Sequence, residues 1–193
     1  IYKRGNQDCY LDPVRKKLIY ITPEETVRQK VISYLIDCLE VPVEMIQVEA
    51  HLSHYGIESN RRADIIIHGA DAEGILRPVA IIECKAPGII LGDKAGAQIT
   101  DYCNSLGCDY AMLVNDCESF SYHYDEQRNE YVQIEGLPKY VDLLDNRYSE
   151  FDPGEFPDRI HYDKISDFLK ENLDESSPDI SNLTEHNLAC AAF

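Results

Sequence analysis

Two apolar runs separated by a polar loop most constrain the fold of this chain. They are Ala63–Ile67 and Val79–Lys85, both rich in aliphatic residues and both of strand length. The segment between them, His68–Pro78, carries two glycines, a proline and three charged residues, a composition typical of a loop. The pattern therefore predicts two antiparallel strands joined as a hairpin.

Three ionisable residues fall at the same end of this predicted hairpin. Asp64 opens the first strand, whereas Glu83 and Lys85 close the second and share a face because they are two residues apart. Buried carboxylates are costly unless they pair with cations or bind a metal. Two carboxylates suit Mg²⁺, and a neighbouring lysine orients or deprotonates a water, or stabilises developing negative charge. The set indicates a metal-assisted phosphodiester hydrolase; the alternative is a strand-end ion pair between Glu83 and Lys85, with Asp64 as a turn residue.

Charge and cysteine content limit the classes of protein. The 193 residues carry a formal net charge of −17, whereas a free-standing nucleic-acid-binding protein is usually basic. The acidic residues concentrate between Asp142 and Glu185, and a chain that begins with Ile1 is expected to be a fragment that borrows a DNA-binding surface from the rest of its polypeptide. Seven cysteines without a C-x-x-C spacing predict free thiols in a reducing cytoplasm, and the lack of a long apolar run predicts no membrane span.

A strong helix start follows the N-terminal segment. Thr22 is a natural N-cap, Pro23 suits the first helical position, and Glu25 completes a capping box, so we expect a helix to about Glu40. Glu25, Arg28 and Gln29 form one stripe of this helix, with a carboxylate, a guanidinium and an amide able to reach into a site. The cap alone would also explain Glu25.

The remaining chain gives weaker but ordered signals. Arg61 and Arg62 arrive just before Asp64, where two guanidinium groups either contact phosphate or neutralise that carboxylate. The other expected elements are an N-terminal hairpin of Asp8–Leu11 against Lys17–Ile21, a strand at Ile46–His51, a helix at Lys94–Leu106 with Gln98 and Tyr102 on one face, a strand at Asp109–Val114 parallel to that of Glu83, and a pairing of Phe120–Tyr124 with Tyr131–Ile134.

Together these residues resemble the PD-(D/E)xK nuclease superfamily and, more closely, the N-terminal domain of type I restriction enzyme R subunits, the HsdR N-terminal family. The resemblance covers roughly Ile1 to Tyr124 in the order of the family. The matching residues are Asp12–Lys17, Thr22–Glu25 with Val27–Gln29, Arg61–Asp64, Ile81–Pro87, and Gln98 with Tyr102.

The resemblance implies a fold and a chemistry. The fold would be a restriction-endonuclease-like α/β core, with a mixed central β-sheet flanked by helices. The chemistry would be cleavage of DNA phosphodiesters with Mg²⁺, for which Mn²⁺ could substitute. Asp64 and Glu83 would bind the metal, and Lys85 would position or activate water.

The resemblance also implies supporting roles. Gln98 would lie near the scissile phosphate as part of a Q-x-x-x-Y element, and Glu25 would match the first-helix carboxylate, with Glu24 competing for that role. Ala63 stands where the superfamily pattern has proline. The residues expected to contact DNA are Arg61, Arg62 and Tyr102.

The expected organisation has two parts. Residues 1–144 would form the nuclease-like domain, with 1–21 as an N-terminal hairpin or arm, and 145–193 would form an acidic C-terminal extension or a linker to a missing region. A motor for ATP-driven translocation lies outside this chain. The partners would be DNA and other restriction-modification subunits. The alternative functions are a catalytically silent nuclease-fold module that binds a protein partner in such an assembly, and a small-molecule hydrolase that uses the same carboxylates.

Overall fold

A computed structural model describes residues 1–57, 61–71, 73–91, 93–152 and 154, without the side chains of 93–95, 97, 98 and 102. The C-terminal extension expected at 145–193 therefore lies outside the described residues beyond Asp152, apart from Gly154. Residues Ile1–Asp152 form one compact unit. No helix in the described part of the chain combines the length and the apolar character that crossing a bilayer requires.

The secondary structure of the described residues is mixed. The strands are β1 (Tyr2–Arg4), β2 (Gln7–Asp12), β3 (Lys17–Tyr20), β4 (Ile46–His51), β5 (Arg62–Ala70), β6 (Leu76–Cys84), β7 (Tyr110–Val114), β8 (Ser119–Asp125) and β9 (Glu130–Ile134). The helices are α1 (Pro23–Asp37), α2 (Asp93–Leu106) and α3 (Tyr140–Leu144), with short 3-10 turns at Val43–Met45 and Leu52–Tyr55.

Six strands form one mixed sheet in the order β4-β5-β6-β7-β8-β9. Strands β6 and β7 run parallel, and the other neighbours are antiparallel. Helix α2 connects the two parallel strands, as expected for a strand-helix-strand crossover. The predicted mixed central sheet flanked by helices is confirmed.

The central hairpin is longer than the sequence suggested. Strand β5 continues to Ala70 and β6 begins at Leu76, so the loop predicted over His68–Pro78 is wrong. The register of the β5–β6 pair shifts between Ile67 and His68, and the two strands remain paired beyond this irregularity as far as Ala70 and Leu76. The remaining turn is held by the Asp71 carboxylate, which accepts hydrogen bonds from the backbone N–H groups of Glu73 and Ile75.

Both faces of the hairpin are covered, which explains its unbroken apolar runs. Ile65, Ile66 and Ile67 are all fully buried. On one face Ile65, Ile67 and Ile82 lie in the same cluster as the α1 residues Val27, Val31, Ile32 and Leu35. On the other, Ile66 and Ile81 lie with the α2 residues Ile99 and Cys103. Each buried isoleucine contributes roughly 1.5–3 kcal/mol, so packing on both faces fixes the end of the hairpin in place.

Helix α1 begins as predicted but ends earlier. The Thr22 hydroxyl oxygen accepts a hydrogen bond from the Glu25 backbone N–H at 3.0 Å. The helix ends at Asp37 rather than at Glu40, because Glu40 adopts a left-handed backbone conformation with φ of 60°. The Glu25 carboxylate forms ion pairs with Arg15 and Arg28, instead of the reciprocal contact expected of a capping box.

The N-terminal segment forms a separate three-stranded sheet. Its β2–β3 pair is the hairpin expected between Asp8 and Ile21, and β1 adds a third antiparallel strand. Besides the ion pair between Arg15 and Glu25, two side-chain contacts from β2 tie this sheet to α1. Gln29 Nε2 donates to Asp12 Oδ2 at 2.6 Å, and the hydroxyls of Tyr10 and Thr26 lie 3.2 Å apart.

Candidate active site

The end of the β5–β6 hairpin brings two carboxylates together. The last paired residues are Ile65 and Ile82, and continuing that register by one position places Asp64 opposite Glu83. The backbone N–H of Cys84 donates to Asp64 Oδ2 at 2.8 Å, which fixes the Asp64 side chain against β6. Both carboxylate side chains are 15% exposed, so the pair is accessible from solvent but largely desolvated.

Glu83 has one carboxylate oxygen engaged and one unengaged. Lys85 Nζ donates to Glu83 Oε1 at 2.8 Å. The second oxygen, Oε2, is buried and finds no hydrogen-bond partner among the residues that the structure describes. Burial, followed by the charge of Asp64, raises the pKa of Glu83, and Lys85 only partly opposes that shift. Glu83 therefore carries a negative charge that the described protein groups compensate incompletely.

Lys85 is held as an ammonium. Burial alone would lower the pKa of Lys85, but its hydrogen bond to Glu83 and the charges of Glu83 and Asp64 outweigh that effect and raise the pKa. A protonated lysine donates hydrogen bonds and stabilises anions, whereas it cannot accept a proton. Of the two roles left open by the sequence, positioning of water fits this environment better than its deprotonation.

Arg28 reaches the same end of the hairpin from α1. Its Nη2 lies 2.6 Å from Asp64 Oδ1 and 2.9 Å from Glu24 Oε1, while its Nη1 pairs with Glu25 Oε2. The arginine is 5% exposed, so these contacts take place away from bulk water. Burial opposes the charge of Arg28, but the charge and hydrogen bond of Asp64 outweigh it and raise the pKa of Arg28. Arg28 is a permanent cation placed directly against Asp64.

A second arginine links the N-terminal sheet to this cluster. Arg15 Nη1 lies 2.8 Å from Glu49 Oε2, Nε donates to Asp12 Oδ2 at 2.8 Å, and Nη2 pairs with Glu25. Glu49 sits within β4 yet has a φ of 53°, a left-handed conformation that costs a non-glycine residue roughly 1–3 kcal/mol. The strain accompanies a carboxylate that faces both arginines, since Glu49 Oε1 lies 3.7 Å from Arg28 Nη1.

The structure places the two first-helix carboxylates differently. The charge of Glu24 contributes least among the causes that raise the pKa values of Glu83 and Lys85, and its carboxylate pairs with Arg28 at 2.9 Å. Glu25 is 4% exposed and contacts Arg15, Arg28 and Gln29. Glu25 therefore reaches Asp64 through Arg28.

The remaining predicted residues surround the site with less detail. Arg61 and Arg62 are exposed just before Asp64, with Arg62 opening β5 opposite His51. Gln98 and Tyr102 lie in α2, as predicted, but their side chains lie outside the described residues.

Sequence reasoning missed the extent of the charged network. Arg28 had a signal, because it shares a helical stripe with Glu25, but its partner Asp64 is 36 residues away. Arg15 and Glu49 had none, since the pair joins the turn between β2 and β3 of the N-terminal sheet to β4 of the central sheet. Such a contact becomes visible only when the strands are placed in space.

Glu83 has an oxygen that suits a divalent cation, whereas both oxygens of Asp64 already accept hydrogen bonds. Oε2 of Glu83 is a buried hard ligand without a hydrogen-bond partner in the described part of the chain, and Mg²⁺ or Mn²⁺ would satisfy it. Both oxygens of Asp64 are already engaged, by Arg28 and by the Cys84 N–H. The described residues contain no group of three or more His, Cys, Asp or Glu side chains arranged for a metal. The residues thus fit a cation held by two carboxylates, if Arg28 yields its place on Asp64.

Two clefts lie elsewhere in the described structure. One, of about 490 Å³, is lined by residues of 135–139 and 147–149 together with Asp142. The other, of about 340 Å³, lies between α1 and the neighbouring ends of β7 and β8. Neither contains Asp64, Glu83 or Lys85, so the carboxylates are not part of either cleft.

The fold and this site define a restriction-endonuclease-like α/β domain, in which an antiparallel hairpin presents two carboxylates and a lysine at one end of a mixed sheet. The family described as "Type I restriction enzyme R protein N terminus (HSDR_N)" matches residues 23–138. The chain belongs to that family, which confirms the resemblance to the HsdR N-terminal family. No curated protein and no solved structure matches the chain significantly.

Proposed function

We propose that this chain is a Mg²⁺-dependent deoxyribonuclease domain that hydrolyses DNA phosphodiesters as part of a restriction-modification assembly. The observation that carries the proposal is the buried Oε2 of Glu83, which has no partner among the described residues and lies beside Asp64 and Lys85 in a member of a restriction-enzyme family. Neither of the two clefts found in the described structure encloses the carboxylates, whereas a small-molecule substrate would need such a cleft.

Each residue of the hairpin end has a role in this proposal. Asp64 and Glu83 hold Mg²⁺, or Mn²⁺ in its place, and the bound ion supplies Lewis-acid activation of the phosphate and of a water. Lys85, as an ammonium, donates hydrogen bonds to the attacking water or to a phosphate oxygen. The water oxygen forms a bond to phosphorus and releases a proton to solvent, one P–O ester bond breaks, and the leaving oxygen takes up a proton from solvent.

Supporting roles follow from position. Glu24 is a better candidate than Glu25 for the first-helix carboxylate, because its charge acts on Glu83 and Lys85. The exposed Arg61 and Arg62 would contact phosphates next to the site. The residues whose roles rest on the family resemblance are Gln98, near the scissile phosphate, and Tyr102, against DNA.

The cellular setting is also part of the proposal. We place the chain in the cytoplasm with other restriction-modification subunits. The cysteines of the described part of the chain are free thiols, in keeping with a reducing compartment.

A second candidate function has its own support. In this alternative the chain is a catalytically silent module that keeps the nuclease fold and binds a protein subunit. The engagement of both Asp64 oxygens by Arg28 and Cys84 favours it, as does the net charge of −17.

Cleavage of supercoiled plasmid in the presence of Mg²⁺ or Mn²⁺ separates the two functions. Glu83→Gln and Lys85→Met should each reduce nicking by about a hundredfold or more, as loss of a charged group at a reacting phosphate does. Glu130→Gln, which alters an exposed carboxylate on β9, is the control and should cut like the wild type. A wild-type chain that leaves DNA intact with either metal, yet binds a restriction-modification subunit, would support the silent module.

A further inference from the structure

We propose that Arg28 and a divalent cation compete for Asp64, so that exchange of the Arg28–Asp64 ion pair sets the metal affinity of the site. This inference rests on the proposed function, because it concerns the same carboxylates. It assigns a regulatory role to an arginine that the proposed reaction does not otherwise use.

The competition follows from geometry. Arg28 Nη2 lies 2.6 Å from Asp64 Oδ1, and the Cys84 N–H occupies Oδ2 at 2.8 Å. A Mg²⁺ ion approaches its oxygen ligands to about 2.1 Å, closer than any hydrogen-bond donor. A dication and a guanidinium on the same carboxylate repel each other strongly in a poorly hydrated site. The cation therefore enters only as Arg28 moves away from Oδ1.

The structure offers Arg28 other partners after that exchange. The guanidinium already contacts Glu24 at 2.9 Å and also Glu25, and Glu49 lies 3.7 Å away. An arginine released from Asp64 thus keeps at least two carboxylates, which avoids the large cost of a buried unpaired charge. Glu24 is 51% exposed and has room to follow the guanidinium.

Asp64 remains in position during the exchange. Its hydrogen bond from the Cys84 N–H comes from the backbone of β6, which does not depend on Arg28. The carboxylate therefore keeps its orientation toward Glu83 when its cationic partner changes. The exchange thus requires that the Arg28–Asp64 ion pair breaks while the hydrogen bond from the Cys84 N–H to Asp64 remains.

Arg15 provides a matched control. It shares the carboxylate of Glu25 with Arg28 and also pairs with Glu49 and Asp12, but none of its ion pairs in the described part of the chain involves Asp64. Replacing either arginine by glutamine removes one positive charge from the same network. Only the Arg28 replacement frees Asp64.

Titration calorimetry with Mn²⁺ on the full chain tests the proposal. Arg28→Gln should bind Mn²⁺ at least about tenfold more tightly than the wild type, and Arg15→Gln should stay within about threefold. Adding Glu83→Gln to Arg28→Gln should abolish the binding. Arg28→Lys is a second variant, which keeps the positive charge and is easier to fold. An ammonium lacks the fork that spans Asp64 and Glu24, so this variant should bind Mn²⁺ more tightly than the wild type and less tightly than Arg28→Gln.

Several results would overturn the proposal. Equal or weaker Mn²⁺ binding by Arg28→Gln would mean that Arg28 does not compete with the metal, and so would an absence of binding in every variant. An equal gain in Arg15→Gln would assign the effect to overall charge. Binding that survives Glu83→Gln would place the ion elsewhere. The nuclease proposal fails by a different result, namely Mn²⁺ binding through Glu83 without any DNA cleavage.

Discussion

Replacing Glu83 by glutamine should stabilise the fold at neutral pH while removing the proposed activity. Glu83 Oε2 is buried without a partner in the described structure, and leaving a buried polar atom unsatisfied costs roughly 1–3 kcal/mol. The variant also loses the ion pair with Lys85, whose side chain is 26% exposed and whose contribution is at most about 1 kcal/mol. The amide group of glutamine can donate to Asp64 across the hairpin. The net expectation is a gain of about 1 kcal/mol, or about 2–4 °C in Tm for a domain of this size.

The gain should depend on pH in a defined direction. The pKa of Glu83 is raised in the folded state, so the unfolded chain ionises this carboxyl at lower pH than the native protein does. Below the unfolded pKa of about 4.3 the residue is protonated in both states, and its ionisation affects stability little. As the pH rises through the two pKa values, ionisation favours the unfolded wild-type chain. The difference between Glu83→Gln and wild type should therefore be small near pH 4 and largest above pH 7.

Urea denaturation at several pH values measures this difference. The control is Glu130→Gln, an exposed carboxylate on β9, whose change in unfolding free energy should stay within about 0.5 kcal/mol. A loss of more than about 1 kcal/mol in Glu83→Gln at pH 7 would show that the Lys85 pair stabilises the fold more than the orphaned oxygen destabilises it. A gain that is the same at pH 4 and pH 7 would refute the electrostatic explanation.

Two further predictions concern stability. Gly107 follows α2 with a φ of 65°, so Gly107→Ala should lower the free energy of unfolding by about 1 kcal/mol in urea melts; an unchanged melt would contradict the requirement for a left-handed residue there. Burial opposes the charge of Asp12, but hydrogen bonds from the Arg15 backbone and side chain and from Gln29 outweigh burial and lower the pKa of Asp12. The ionised Asp12 therefore stabilises the fold above its unfolded pKa of about 3.9, and this stabilisation is lost as the pH falls through the lower pKa of the folded state. Asp12→Asn should therefore cost about 2 kcal/mol at pH 7 and less at pH 2, and parallel losses at both pH values would point to packing instead.

Local patterns were enough to predict much of the fold. The apolar runs of β5 and β6 are continuous because both faces are covered, and the turn residues around α2, ending at Gly107, marked a crossover to a parallel strand. The same periodic signals predicted the pairing of β8 with β9. The ends of elements were predicted less well. The turn held by the Asp71 side chain made the loop shorter than expected. The left-handed backbone of Glu40 ended α1 earlier than expected.

Only those residues of the candidate site that lie on the two strands of the hairpin could be predicted from the sequence. Asp64, Glu83 and Lys85 follow from the hairpin, because the register of two adjacent strands decides which residues meet. The arginine contacts do not, because charged side chains carry no periodic signal and the Arg15–Glu49 pair joins separate sheets. The sequence therefore predicts the candidate reactive residues Asp64, Glu83 and Lys85, but it does not predict the arginines that form ion pairs around them.

Among the described residues, the charged network at the hairpin end carries more carboxylates than cations. The family match begins at residue 23, yet Arg15, in the turn between β2 and β3, is one of the three cations that the described residues contribute to the network. The carboxylates of the network are Asp12, Glu24, Glu25, Glu49, Asp64 and Glu83, and the cations are Arg15, Arg28 and Lys85. This excess of negative charge would repel a phosphate that approached without a counter-ion. Under the proposed function, a divalent cation would reduce this excess and would supply a ligand for Glu83, so we propose that the cation binds before or together with the DNA.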